Sequence, residues 1–436
     1  MSTQKYSIFW FRRDLRIDDN VGFLAALKSD YPVLPIFIFD TEILNDLPKD
    51  DARVTFIYQK TQEIRRIFQE KYDSSLAIYQ GKPEEIFKKL VEDFSIAEVY
   101  TNRDYEPYAK ERDEKIDDFL ADHNIEFKTF KDQVIFEKSE VVKKDETPYL
   151  VYTPYMKQWK KKFDTKKLRI HYTSQYLKNL IQNSRLPNLS LSDIGFEKST
   201  IEVPEYELTP TLIEEYDEKR NIPSKNGTSN LSPHLRFGTV GIRKIIKKAI
   251  QEKDETFFEE LIWREFFMQI LYHYPKTVTD AFKEKYDRIE WRNNKAEFNK
   301  WKEGKTGYPL VDAGMRQLNN SGIMHNRVRM VVGSFLCKHL LIDWRWGEAY
   351  FAEKLLDYEM SSNVGNWQWV AGSGVDATPY FRIFNPTSQL DKFDKDRKYV
   401  KKWVPEFDTE DYPEPMVNHK EARERCLKVY KKAVSN

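Results

Sequence analysis

Between Tyr6 and about Phe136, short apolar runs alternate with amphipathic helical patterns, and no other feature of the chain constrains its fold as strongly. The runs YSIFWF, YPVLPIFIFD, SLAIYQG, AEVYTN and EFKTF have the length and residue types of strands. Between them, RVTFIYQKTQEIRRIFQEKY, PEEIFKKLVEDF and PYAKERDEKIDDFLADH carry apolar side chains at helical spacing. Such alternation predicts an α/β domain over residues 1–136, with a parallel sheet covered by helices. The domain has neither GxGxxG nor GxxxxGK[ST], so neither standard nucleotide loop is indicated. Arg12, Arg13 and Arg16 follow the first strand and suit either an anion or a salt-bridged turn.

Residues 137–208 are mixed in pattern, with prolines at 148, 154, 187 and 204 and the basic aromatic run YMKQWKKKF. They read as a long interdomain connection. From 209 to 436 strand signals nearly vanish, and stretches such as ETFFEELIWREFFMQILYHY predict a second domain that is all-α.

The 71 Lys plus Arg against 70 Asp plus Glu leave a net charge of +1, so an anionic partner needs a local basic face. Two cysteines, Cys337 and Cys426, make no disulfide framework, and no metal-type Cys/His cluster is visible, which points to no metal and to a cytoplasmic protein. No apolar run approaches the roughly 20 residues of a membrane span. Aromatic residues reach 14%, including 10 Trp, more than an ordinary core needs.

Four constellations could carry chemistry. Glu260, Trp263, Arg264 and Phe267 stand at i, i+3, i+4 and i+7, one stripe of carboxylate, indole and guanidinium. The stripe suits a core Trp beside an exposed ion pair, or a polar site with an aromatic wall for a planar ring. In GIMHNRVRM, Asn326, Arg329 and Met330 repeat the spacing, flanked by His325 and Arg327. NGTSNLSPHLRFG clusters small hydroxyl residues before a helical pattern, as a cap or a phosphate site would. SSNVGNWQWVAGSG places Trp367 and Trp369 one residue apart between glycines.

These motifs, together with WFRRDLRIDDN, EGKTGYPLVDAGMRQL and NWQWVAGSGVDATPYFRIFNP, resemble the photolyase/cryptochrome family along essentially the whole chain. Within it they are most similar to class I cyclobutane pyrimidine dimer (CPD) photolyases. The resemblance implies a Rossmann-like α/β domain that binds an antenna, then an all-α domain that binds FAD. It implies light-driven repair of UV-damaged DNA: excited FADH⁻ passes an electron to a flipped-out dimer, the ring opens, and the electron returns. A monomer without an obligatory protein partner or membrane is expected.

By the same resemblance the flavin phosphates lie on Thr228, Ser229, Asn230, Leu231 and Ser232, with Tyr216 nearby. Asp357, Tyr358 and Glu359 lie along the flavin, Arg329 pairs with Asp357, and Asn363 faces the reactive N5 edge. Glu359 departs from the Asp common in similar enzymes. Trp263 and Trp369 clasp the dimer, Met330 packs on it, and Glu260 and Asn326 reach its polar edge. Arg220, Arg264, Arg327 and Arg382 bind DNA phosphates, and Phe257, where relatives often have Trp, also contacts DNA. Trp291, Trp344 and Trp367 match the family's electron-relay chain. Ile323 replaces a Trp that many relatives pack near the flavin. Tyr105 and Glu106 fall in the antenna segment, where a folate, MTHF, is favoured over the deazaflavin 8-HDF or FMN.

The nearest alternatives are a (6-4) photolyase and a cryptochrome-type blue-light receptor. The first carries two active-site histidines, where this chain has Asn326 and Met330. The second often carries a C-terminal extension, whereas here the sequence stops soon after HKEARERCLKVYKKA.

Overall fold

The computed structural model of the chain describes residues 4–435. They form two compact units, each built from three segments. One comprises the chain to Glu137, Lys162–Tyr206 and Asn230–Gln251; the other comprises Lys138–Lys161, Glu207–Ser229 and the chain from Glu252 onward.

In the first unit all five expected strands form: β1 (Lys5–Phe11), β2 (Val33–Asp40), β3 (Ala77–Gly81), β4 (Ser95–Asn102) and β5 (Glu126–Phe130). They are hydrogen-bonded in the order β3-β2-β1-β4-β5, every pair parallel. The crossovers are α1 (Val21–Leu27), α2 (Ala52–Tyr72), α3 (Pro83–Asp93) and α4 (Pro107–Asp122). Side chains alternate across each strand. Phe9 and Phe11 join Phe23, Phe37 and Phe68 on one face, and Ile8 and Trp10 join Ile36, Phe87 and Ile116 on the other. All eight residues of β2 are buried, as expected of a strand with helices on both faces.

The compact units do not follow the linear division at 136 and 208. The segment expected to be a connection is split between them because its apolar residues are buried. Ile181 donates its N–H to Val33 O at 2.9 Å, Pro187 O accepts from Ile78 N at 2.9 Å, and Ile181 and Leu186 enter the sheet core. In the helical unit α5 (Tyr152–Lys162) buries Tyr152, Tyr155 and Trp159. Residues 230–251 belong with the sheet, where Phe237 packs in the core and the Arg243 guanidinium meets Asp19 and Asp132 at 2.8 and 2.6 Å.

The helical unit contains no strand among the described residues. Its principal elements are α6 (Thr256–His273), α7 (Asn326–Ser334), α8 (Trp344–Lys354), α9 (Met360–Ala371) and α10 (His419–Ser435). Its core centres on Trp301, Met315, Val332, Leu336, Trp344 and Trp367. Gly347 permits that packing, since a Cβ there would lie 2.1 Å from the Trp367 ring. Gly365 likewise lets Phe267 approach, at 2.2 Å from where its Cβ would be. No helix is long and apolar enough to cross a membrane, and no cluster of three metal-ligating side chains occurs among the described residues.

Candidate functional site

The stripe on α6 is assembled with help from outside the helix. Arg220 donates from Nη1 to Glu260 Oε1 at 2.6 Å, and the guanidinium of Arg220 also covers the Tyr216 ring at 5.1 Å. Trp263 stacks on Tyr152, with ring centroids 3.6 Å apart and planes 8° from parallel, and on Phe267 at 5.5 Å. Tyr152 is fixed at both ends: its hydroxyl donates to Glu259 O at 2.7 Å, and its N–H donates to Asp376 Oδ2 at 3.0 Å. Trp159 Nε1 donates to Glu265 Oε2 at 2.6 Å, locking α5 against α6. Arg264 is half-buried on α6. Phe257, expected to contact DNA, is instead 4% exposed and packs edge-on against Tyr216 at 5.2 Å, because the first turn of α6 faces inward.

His325 caps α7, and Asn326, Arg327, Arg329 and Met330 follow on its first two turns. Arg329 donates from Nε to Met324 O at 2.7 Å and from Nη2 to Asp357 Oδ2 at 2.9 Å, the expected pairing. Arg327 donates to Asn221 Oδ1 at 2.7 Å and lies 4.4 Å from the Phe393 ring centroid. Asn326 Oδ1 and His325 Nε2 are buried with no hydrogen-bond partner among the described residues. Buried polar atoms of this kind are rare unless a ligand or water completes them.

Glu359 serves as the N-cap of α9: its carboxylate accepts from Ser361 Oγ at 2.5 Å and Ser362 N at 2.9 Å. Its neighbour Tyr358 packs half-buried against the core. Asn363, 8% exposed, donates both amide hydrogens to Glu348, to the backbone O at 3.1 Å and Oε1 at 2.9 Å. Burial holds the Glu348 carboxyl above its usual pKa, and the bond from Asn363 acts the other way. Sequence reasoning missed Glu348, although it lies one helical turn beyond Trp344 in WRWGEAY. It also missed Tyr152, for which periodicity offered no signal.

Of the expected relay residues, Trp344 and Trp367 share one buried cluster, and Trp291 packs against it. Trp301 joins them, 6.3 Å from Trp367 between ring centroids, while Trp369 remains half-buried at the cluster's edge. Arg382 is exposed on a loop, its N–H held by Pro379 O at 2.9 Å. In the segment 228–232, Ser229 and Leu231 are buried, Asn230 takes a left-handed φ of +52°, and Ser232 opens the short helix Ser232–Phe237. The Leu231 side chain provides no cap to that helix.

In the α/β unit the arginine turn is salt-bridged. Arg12 meets Asp113 at 2.5 Å, Arg13 meets Asp104 and Glu106 at 3.0 and 2.8 Å, and Arg16 meets Asp132 at 2.6 Å. Tyr105 is buried, its hydroxyl donating to Glu137 at 2.8 Å.

In the helical unit the residues present fit FAD. The Arg329–Asp357 pair and the Asn363 amide together offer donors and acceptors to a polar planar ring and its chain.

Comparison with known proteins agrees. The family described as DNA photolyase matches residues 7–172, and the FAD binding domain of DNA photolyase matches residues 257–409. The deoxyribodipyrimidine photo-lyase of Synechococcus sp. is 35% identical over 94% of this chain and 93% of its own length. Among solved structures, a bacterial class III photolyase from Agrobacterium tumefaciens superposes with a TM-score of 0.87 at 32% identity, covering 100% of this chain and 99% of that one. An archaeal photolyase from Sulfolobus tokodaii, described with two FAD molecules, gives 0.82 at 33% identity over 98% and 100% of the two chains. With a parallel-sheet unit, a helical unit carrying the site, and near-full-length relatives of this kind, the chain belongs to the photolyase/cryptochrome family.

Proposed function

We propose that the chain is a deoxyribodipyrimidine photo-lyase, which uses light to split cyclobutane pyrimidine dimers in UV-damaged DNA. When bound, FAD in its reduced form supplies the light-excited electron that opens the cyclobutane ring and receives it back, with no net redox change. The observation that carries the reading is the buried Asn326 Oδ1, unpartnered among the described residues, on a helix that also bears Met330. (6-4) photolyases have histidines at these two places.

Each residue then has a task. Trp263, held by Tyr152 and Phe267 but still half-buried, is read as one wall for a flipped base, and Trp369 as the opposing wall. Glu260, oriented by Arg220, and Asn326 Oδ1 are acceptors for the N–H edges of the pyrimidines. Asn363 commits its amide Nδ2 to Glu348, which leaves its Oδ1 as an acceptor that would match a reduced flavin carrying a proton on N5. Arg329 and Asp357, with Tyr216, Tyr358 and Glu359, hold the cofactor, and the 228–232 segment receives its phosphates. Trp291, Trp344 and Trp367 conduct electrons to oxidised flavin. Arg220, Arg264, Arg327 and Arg382 bind DNA phosphates.

The α/β unit is read as the antenna domain, with Tyr105 and Glu106 at the site. A folate, MTHF, is the first choice there. A second flavin is the alternative, favoured by the Sulfolobus relative's two FAD molecules. The protein is read as a cytoplasmic monomer that needs no protein partner.

An oligonucleotide bearing one cyclobutane dimer, illuminated with blue light in the presence of the reduced protein, should regain its two pyrimidines. Repair of six-four lesions alone would overturn the assignment. Flavin bands in the absorption spectrum, with or without a further near-ultraviolet band, identify cofactor and antenna.

A further inference from the structure

His325 is arranged as a hydrogen-bond donor that no described residue uses. Its Nδ1 accepts the backbone N–H of Arg327 at 3.2 Å, which caps α7 and places the proton of the neutral ring on Nε2. Its own backbone N–H donates to Gln317 Oε1 at 3.1 Å, so the residue is pinned on two sides. Burial, reinforced by the guanidiniums of Arg329, Arg327 and Arg220, pushes the imidazole pKa down to about 4 and keeps the ring neutral. The residue is 9% exposed, and Nε2 meets no partner among the described residues. Leaving a buried donor unmatched costs about 1–3 kcal/mol.

The surrounding charge says what kind of acceptor is missing. Arg220 is neutralised by Glu260 at 2.6 Å and Arg329 by Asp357 at 2.9 Å. Arg327 bonds to the neutral Asn221 and packs on Phe393, and among the described residues no carboxylate lies within ion-pair distance of it. One uncompensated positive charge and one neutral N–H, on residues linked through the helix cap, complement a monoanion with two acceptor oxygens. A phosphodiester has that charge, whereas a pyrophosphate carries two.

We infer that Nε2–H of His325 donates to a phosphodiester oxygen of the DNA backbone whose charge is met by Arg327, making His325 a DNA-binding residue. The inference rests on the dimer-repair reading above.

The test measures binding in the dark of the FAD-loaded protein to a duplex carrying a single cyclobutane dimer. Asn at 325 retains an oxygen able to cap α7 but lacks a donor at Nε2, whereas Gln places an N–H near Nε2 but caps poorly. His325→Asn should therefore weaken binding by about tenfold, and His325→Gln should restore most of it. Because the donor is neutral, His325→Asn should leave the salt dependence of binding unchanged, while Arg327→Gln should lower the slope of log K against log salt by about 1. If His325→Asn instead releases FAD while its FAD-loaded fraction binds the duplex normally, the acceptor is the flavin pyrophosphate and the inference falls. It falls also if Asn and Gln weaken binding equally, which would mark a structural role, or if neither does. Should the unsubstituted protein fail to prefer the dimer-bearing duplex over undamaged DNA, the repair reading itself has failed.

Discussion

Two basic stretches, one in each unit, differ in how their charge is met. In the α/β unit each arginine of the turn after β1 finds a carboxylate, and the network closes through Asp132, which receives Arg16 and Arg243 at 2.6 Å each. In the helical unit, among the described residues, Arg327 finds no carboxylate and Asn326 and His325 keep buried atoms unmatched. A polar cluster that satisfies itself holds the fold, whereas one left open has affinity to spare for a ligand. The arginines of WFRRDLR and those of MHNRVRM cannot be sorted this way by composition, since both are simply basic turns.

The strongest way to break the comparison is to open the closed network. Asp132→Ala leaves the buried Arg16 guanidinium without its carboxylate and Arg243 with Asp19 alone, and should destabilise the protein by about 3–5 kcal/mol. Asn326→Ala, at an already open position, should change stability little and weaken dimer binding instead. Chemical denaturation paired with dark binding to dimer-bearing DNA checks both. Equal stability losses for the two variants would show that the distinction between closed and open clusters has no energetic content.

Acid probes the helical unit more gently. His325 has its pKa pushed down to about 4, and His339, fully buried with Nε2 2.8 Å from His419 Nδ1, has its own pushed to about 3 by burial and then by His419 and Arg425. Each ring takes up a proton when unfolded near pH 6.5 but stays neutral when folded, so the unfolded chain holds more protons below that pH. Stability from these groups is therefore complete above pH 6.5 and falls by about 1.4 kcal/mol per pH unit per ring, down to the folded pKa. His339→Phe should flatten the dependence of the denaturation midpoint on pH between 6.5 and 4.5. An unchanged slope would mean that the buried histidines do not govern acid lability.

On the proposed reading, Trp367 and Trp369 would separate two tasks that the sequence places one residue apart. Trp367 is 3% exposed, against Phe351 and Trp301, whereas Trp369 stays half-buried. Trp367→Phe should slow photoreduction of oxidised flavin at least tenfold and spare repair by protein reduced beforehand. Trp369→Ala should weaken dimer binding by about 1–3 kcal/mol, as loss of a stacking platform does, and leave photoreduction intact. Transient absorption and a dark binding titration measure the two effects, and an exchange of phenotypes would reverse the assignment.

What could be read in advance follows from how far each signal reaches along the chain. The strands and crossovers rest on periods of two and about 3.6, which are local, and the sheet formed where YSIFWF and its counterparts predicted it. Glu260, Trp263 and Arg264 could be grouped in advance because one helix carries them. Tyr152 was not, since its role comes from stacking on a ring more than a hundred residues later, and the prolines around it signalled a connection. Phe257 was expected to contact DNA by resemblance alone, and a residue's counterpart in relatives does not decide whether packing turns it inward, as it does here.

The smallest predicted effect brings the comparison down to two adjacent arginines of α2. Arg66 forms an exposed i,i+4 pair with Glu70 at 3.0 Å, and Arg66→Ala should change stability by less than about 0.5 kcal/mol. Arg65 points inward, where it bonds Leu76 O, donates to Leu186 O at 2.7 Å and to Pro187 O at 3.2 Å, and so ties the 162–206 segment to the start of β3. Arg65→Ala would strand those carbonyls, and a loss of about 1–3 kcal/mol with faster proteolysis near residue 186 is expected. Since the two differ only in which way their side chains face, equal losses would show that satisfied backbone carbonyls, and not charge alone, are the wrong account of why the expected connection is folded.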